Sequence, residues 1–172
     1  MIGVVVVVIA AAVPQALASL NHDRAVIAAR YISSRMGLAR MQAVSHTANV
    51  ALRFEEGSST TTLSSFVDGN HDGVLTREIL AHVDAPLDEP VPLGSLFPGV
   101  LVSLAADSEG DAIVRPGVST LVSFTPSGTA TSGSVYVTGR DGSRYAVRVL
   151  GVTGRTRIVR YDAAARAWVP IS

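Results

Sequence analysis

The chain opens on a long apolar run. MIGVVVVVIAAAVPQALASLN is interrupted only by Pro14, Gln15, Ser19 and Asn21, and the first charged residue is Asp23. About 20 helical residues rising roughly 1.5 Å each span about 30 Å, the thickness of a bilayer hydrocarbon core. A cleaved secretory signal would carry positive charge ahead of its apolar stretch. A retained membrane helix over residues 1–21 is therefore the expectation, and the valines do not oppose it, because a bilayer offers backbone amides no partner but each other. From His22 the pattern changes. In AVIAARYISSRMGLARMQAVS, Ile27, Tyr31, Leu38 and Met41 recur at helical spacing, with Arg24, Arg30, Arg35 and Arg40 mostly off that line. This predicts an amphipathic second half, residues 22–48, continuous with the first and seated through that stripe on the part of the chain that follows.

After Asn49 the texture becomes short β-branched runs divided by Gly, Ser, Asp and Pro. Strands are predicted at 50–54, 60–67, 79–83 and 100–104, then at 120–124, 134–138, 144–150, 155–161 and 167–171. Arg140-Asp141-Gly142 and Val152-Thr153-Gly154 read as hairpin turns. Residues 84–99 contain four prolines and read as a loop. Tyr145, Val147 and Val149 alternate with Ala146, Arg148 and Leu150, as a half-buried antiparallel strand requires. The fold class is α+β, a long N-terminal helix packed on an antiparallel β-sheet head over residues 49–172.

Composition narrows the chemistry. The 172 residues contain no cysteine, so thiol catalysis, zinc ribbons and disulfides are excluded. All 14 basic residues are Arg, which removes Schiff-base lysines and the P-loop lysine. No nucleophile setting such as G-x-S-x-G is present, and a non-enzymatic protein is expected. The formal charge is zero, yet residues 1–53 carry net +4, residues 54–138 net −9 and residues 139–172 net +5. A basic C-terminal sheet either pairs with the acidic middle or faces an outside anion.

An apolar helix at the start, a Pro near its end, an amphipathic extension and a β-rich head resemble type IV pilins and pseudopilins. Three segments sharpen this. FVDGNHDGVLTREIL, LVSFTPSGTATSGSVYV and YAVRVLGVTGRTRIVR resemble, in order, the D-x-N-x-D-G, F-x-P-x-G and G-R-x-R segments of the GspH/FimT family. The resemblance implies a minor pseudopilin of type II secretion or a type IV pilus. Such a protein is held in the inner membrane with its head in the periplasm, and then assembles with other pseudopilins or minor pilins near a filament tip, acting in assembly priming and protein secretion. Family precursors carry a short basic leader, a Gly at the cleavage site, an aromatic residue and a Glu, and are cleaved and methylated by a prepilin peptidase. None of these features precedes the apolar run here. The resemblance therefore leaves two expectations, that they lie upstream of Met1, where a prepilin peptidase would act, or that the chain is a genuine variant, and the family's buried Glu is not assigned in this sequence.

Two sets of residues are candidate sites. Asp68, Asn70 and Asp72, followed by Gly73, open like a calcium loop, with hard oxygen ligands at alternate positions. The twelfth position, where a bidentate Glu belongs, is Ile79, so an Asp/Asn/Gly turn is the competing reading. No cofactor is expected beyond that calcium alternative. Arg155, Arg157 and Arg160 follow the G-R-x-R segment, which in FimT-type members is implicated in DNA capture. Guanidinium groups suit phosphate, so DNA is the alternative partner, against ion pairs with the acidic middle. His22, His46, His71 and His82 show no ligand spacing, and Trp168 reads as a core or edge anchor.

Overall fold

The computed structural model describes residues 2–58, 60–104 and 120–171, with side chains described from Arg24 onward. α1 (Ile2–His46) is one continuous helix. The membrane half expected at 1–21 lies outside the residues whose side chains are described, and among the described residues no helix is long and apolar enough to cross a membrane. The chain then forms β1 (Val50–Glu56), β2 (Thr61–Val67), the short helix α2 (Thr76–Leu80), the two-residue strands β3 (Ala85–Pro86) and β4 (Val91–Pro92), and a turn of helix α3 (Leu93–Leu96). β5 (Leu101–Ser103), β6 (Leu121–Phe124), β7 (Gly133–Thr138), β8 (Arg144–Leu150), β9 (Arg155–Asp162) and β10 (Ala167–Pro170) complete it. Two antiparallel sheets result, one in the order β3-β2-β1-β6 with β4 also on β2, the other β10-β9-β8-β7-β5.

One core lies between α1 and both sheets. β1 contributes Val50, Leu52 and Phe54, β7 contributes Val135 and Val137, and β8 contributes Tyr145, Val147 and Val149. The alternation read in β8 is thus the observed one. The opposite face of that sheet is less wet than its sequence suggests, since Tyr136, Ala146 and Val159 are buried there beneath Trp168.

The helix sits on a different face from the one its large apolar residues mark. Ala25, Ala28, Ala29, Ile32, Met36, Ala39 and Ala43 are the buried residues of α1. At 3.6 residues per turn these fall within about a third of the circumference. Ile27, Leu38 and Met41 lie on roughly the opposite side, and they are 50%, 36% and 66% exposed. Only Tyr31 of the expected stripe is partly buried, at the edge, with its ring 5.6 Å from that of Phe97. The reason is steric. A helix laid across two sheets gains most where its backbone comes closest, and alanine permits that approach.

Two further elements differ from expectation. Residues 79–83 are not a strand, because α2 occupies Thr76–Leu80. The amides of Glu78 and Ile79 both donate to the Leu75 carbonyl at 3.0 Å, and this helical turn lowers Ile79 alone onto Ala51, Val74 and Leu121. Leu80 is left exposed, where a strand would have presented it to the sheet's neighbours. The segment 84–99 is not merely loop. β3 and β4 pair with β2 through Pro86 and Pro92, residues that a sheet accepts only along an edge.

Two hairpin turns meet α1 at its far end. Gly128 and Gly154 have φ of 82° and 59°, values that favour glycine. The Arg40 Nε donates to the Gly128 carbonyl at 3.3 Å, and a Cβ on Gly154 would stand 2.5 Å from that same oxygen and 3.0 Å from the Arg40 side chain. These are the glycines of the F-x-P-x-G and G-R-x-R segments, and their lack of a side chain makes room for Arg40 between the turns.

The seating of α1 is tested by two substitutions in a chain beginning near Asp23. Met36→Asp is expected to remove several kcal/mol of stability, on the order of 3 or more, because it buries a charge and leaves a void. Leu38→Asp is expected to cost less than about 1 kcal/mol. Equal losses in thermal melts would refute the alanine-face seating.

Candidate functional site

Three surfaces carry the polar and apolar groups that the core does not use. The first is the loop after β2, where Asp68 and Asp84 are buried and act on backbone amides. Asp68 Oδ1 accepts from the amides of Asn70 at 3.1 Å and His71 at 2.7 Å. Its Oδ2 accepts from the Gly73 amide at 2.8 Å and from Asn49 Nδ2 at 2.7 Å. Burial alone would raise the Asp68 carboxyl, but the hydrogen bonds from Asn49, Gly73, His71 and Asn70 outweigh it and hold the group below the usual carboxylate range. Asp84 accepts from the Gly69 amide at 3.1 Å and the Leu75 amide at 2.9 Å. His71 stands at φ 67° in the turn. Asp68 therefore spends its lone pairs on the turn. Asn70 accepts from the Asp72 amide at 3.4 Å, and Asp72 lies 3.9 Å from Arg77. Among the described residues no cluster of three or more His or carboxylate ligands forms. The geometry is that of an Asx-stitched turn.

The second surface is the outer face of the β5–β10 sheet. Arg144 and Arg148 of β8, and Arg155 and Arg157 of β9, share it with the buried Ala146 and Val159. Arg157 lies directly across from Arg148 in the ladder, and Arg155 across from Leu150. Aromatic rings underlie this charge. Arg144 sits 3.9 Å above the Tyr161 ring and Arg148 5.9 Å from the Trp168 ring, both in cation–π geometry. Trp168, on the edge strand β10, packs against Tyr136 and Tyr161 with ring centroids 5.9 Å and 5.4 Å away. Strand alternation brings Arg155 and Arg157 together but puts Arg160 on the reverse face, opposite Tyr145.

The described acids of the middle do not pair with Arg155 or Arg157. Asp88 binds Arg35 of α1 and accepts from Ser65 at 2.9 Å, and the Arg35 hydrogen bond holds its carboxyl below the usual range. Glu55 pairs with Arg53 at 2.9 Å, Glu78 with Arg77 at 3.3 Å, and Glu56 accepts from Ser103 at 3.1 Å. Among the described residues none is within ion-pair distance of Arg155 or Arg157.

The third surface was not legible as such: the exposed ridge of α1 formed by Ile27, Leu38 and Met41, with Val44 beside it. The periodicity of these residues is plain, and it misled because a stripe facing another molecule looks the same in sequence as one facing the core.

The Asp68 turn yields a test. A carboxyl held low in the folded state stabilises the fold above its unfolded value of about 3.9, and that contribution is lost as the pH falls through the folded value. Stability is therefore expected to be flat above about pH 5 and to drop below about pH 4. Asp68→Asn aims an NH2 group at amides that need acceptors. It is expected to lower the plateau by about 1–3 kcal/mol and to flatten the acid limb. Denaturant titrations across pH measure both, and an unchanged limb would contradict the assignment.

Comparison with known proteins adds an independent finding. A family model described as "Type II transport protein GspH" matches residues 28–154, which include most of the helix's head-bound half, the D-x-N-x-D-G and F-x-P-x-G segments whole, and the third segment only as far as Gly154. The chain is also similar in structure to the minor pseudopilin EpsH from the Type 2 Secretion System of Vibrio cholerae. The TM-score is 0.54 at 11% identity, over 80% of this chain and 97% of that one. A search of curated proteins gives no match.

Proposed function

The chain belongs to the GspH family of type II transport proteins, and from that premise we propose that it is a minor pseudopilin, a structural subunit of a type II secretion pseudopilus. The observation that carries this reading is a 45-residue helix seated on its head by an alanine-rich face, with Ile27, Leu38, Met41 and Val44 left outward. A monomer gains nothing from that arrangement, while a filament of packed helices uses it. The apolar stretch 1–21 anchors the subunit in the inner membrane with the head in the periplasm. Assembly then transfers the helix from lipid to neighbouring helices, near the filament tip, where the subunit primes further addition. The work is packing and requires no catalytic group or cofactor.

Complementation tests this. In cells that carry the gene, its deletion is expected to abolish export of the system's secreted proteins. The full chain, recovered with inner membranes, is expected to restore export, and a chain starting at Asp23 is expected to fold, stay soluble and fail to restore it. Full rescue by the anchorless chain would overturn the reading.

A second reading rests on Arg155 and Arg157, which share one strand face and have no ion pair among the described residues. Two guanidinium groups on one face suit the phosphates of a nucleic-acid backbone. In this reading the subunit is a minor pilin that holds DNA for uptake. Binding would be insensitive to sequence and steep in salt. Replacing Arg155 and Arg157 together by Gln is expected to lower the log–log salt slope on duplex DNA by about 2 without changing the melt. Fluorescence anisotropy measures this. A parent protein with no affinity at low salt would end the reading.

A further inference from the structure

α1 is covered by its own head on three sides. Its alanine face seats on the sheets, Tyr31 and Arg35 reach Phe97 and Asp88 on one flank, and Ser33 and Arg40 reach Thr156 and Gly128 on the other. The remaining side carries Ile27, Arg30, Ser34, Leu38 and Met41, all but Leu38 well exposed, over about 20 Å of helix. Gly37 stands within this strip, one turn from Ser34 and from Met41. Nothing in the fold requires a glycine there. A Cβ built on Gly37 meets no atom within 4 Å, and glycine is the weakest helix former after proline. What the missing side chain does create is a hollow in an apolar ridge, through which a second helix's backbone can approach closely. Arg30, two turns before Gly37 on the same line, is exposed and has no ion pair among the described residues.

We infer that a helix of a neighbouring filament subunit crosses α1 at Gly37, laying apolar side chains on Ile27, Leu38 and Met41 and setting a carboxylate against Arg30. The inference rests on the filament reading above and names the place and chemistry of its contact. The occupant is a helix because the ridge is narrow, straight and notched for a backbone. It carries a negative charge because Arg30 has no ion pair among the described residues.

The test uses the full chain in membranes of cells carrying the rest of the secretion apparatus, with a photoreactive residue at Ser34. Illumination is expected to give an adduct whose partner peptide, read by mass spectrometry, is the N-terminal helix of another pilin-like subunit. Gly37→Leu, and separately Arg30→Glu, are expected to lower the adduct yield about tenfold, the effect of roughly 1.4 kcal/mol. Both are expected to leave the melting temperature of the detergent-purified chain nearly unchanged. Gly37→Ala is expected to raise that temperature by about 2–4 °C, which confirms that the fold itself has no use for the glycine. Adducts undiminished by Gly37→Leu and Arg30→Glu, or formed only with a second copy of this chain, would overturn the crossing while leaving the filament reading intact. Failure to capture any pilin-like subunit, from Ser34 or from any other exposed position of α1, would overturn both.

Discussion

Ala25, Ala28, Ala29, Ala39 and Ala43 set how near α1 comes to the sheets, and the rest of the head follows from that distance. Protein cores are packed as densely as organic crystals, so a helix face of methyl groups fits only against side chains that rise to meet it. Phe54, Phe124, Tyr145 and the valines of β7 and β8 do so from below, and Ile32 and Met36 fill the gaps between. A leucine in place of Ala39 would have to push the helix outward or strain its neighbours, at about 1–3 kcal/mol. The same closeness brings the helix flanks within reach of Asp88, Thr156 and Gly128, so the polar contacts depend on the apolar one.

The overall plan was legible in the sequence because it rests on strong local signals. Polar breaks divide the strands, β8 alternates cleanly, and glycine turns close the hairpins at Gly142 and Gly154. The helix's buried face was not legible, because hydropathy weighs Leu38 and Met41 above alanine and cannot tell a core from a partner. Ile79, Leu80 and Val83 suggested a strand for a similar reason. Their composition fits one, and only the tertiary need to cover Ala51 with a single side chain selects a helical turn. Of the candidate sites, the turn at Asp68 was readable in kind, since Asp, Asn and Gly at these spacings bond their own backbone. The grouping of Arg155 and Arg157 followed from alternation, whereas Arg148 joined them only through the β8–β9 register.

Charge is segregated along the chain but is used locally in space. Among the described acids of the middle, Asp68 and Asp84 are taken up by amides and Asp88 and Glu55 by nearby arginines. On the C-terminal sheet Arg144 and Arg148 lie over aromatic rings, and Arg155 and Arg157 have no ion pair among the described residues. Zero net charge thus coexists with a cationic outer face, and the two faces of one sheet serve different ends, burial against α1 and presentation to solvent.

Arg40 gives the fold an order in time. Its partners at Gly128 and Gly154 lie 88 and 114 positions further along the chain, so the fastening of the helix end is among the most non-local contacts in the molecule. Loop-closure entropy makes such contacts slow to form. During synthesis the helix emerges first, yet this fastening has to wait until the β6–β7 and β8–β9 turns exist. A head cut off before Gly154 lacks one side of the Arg40 fastening, although β1, β6, β7 and β8 already cover the alanine face. Completion of the last hairpins therefore fixes the end of a helix whose middle is already seated.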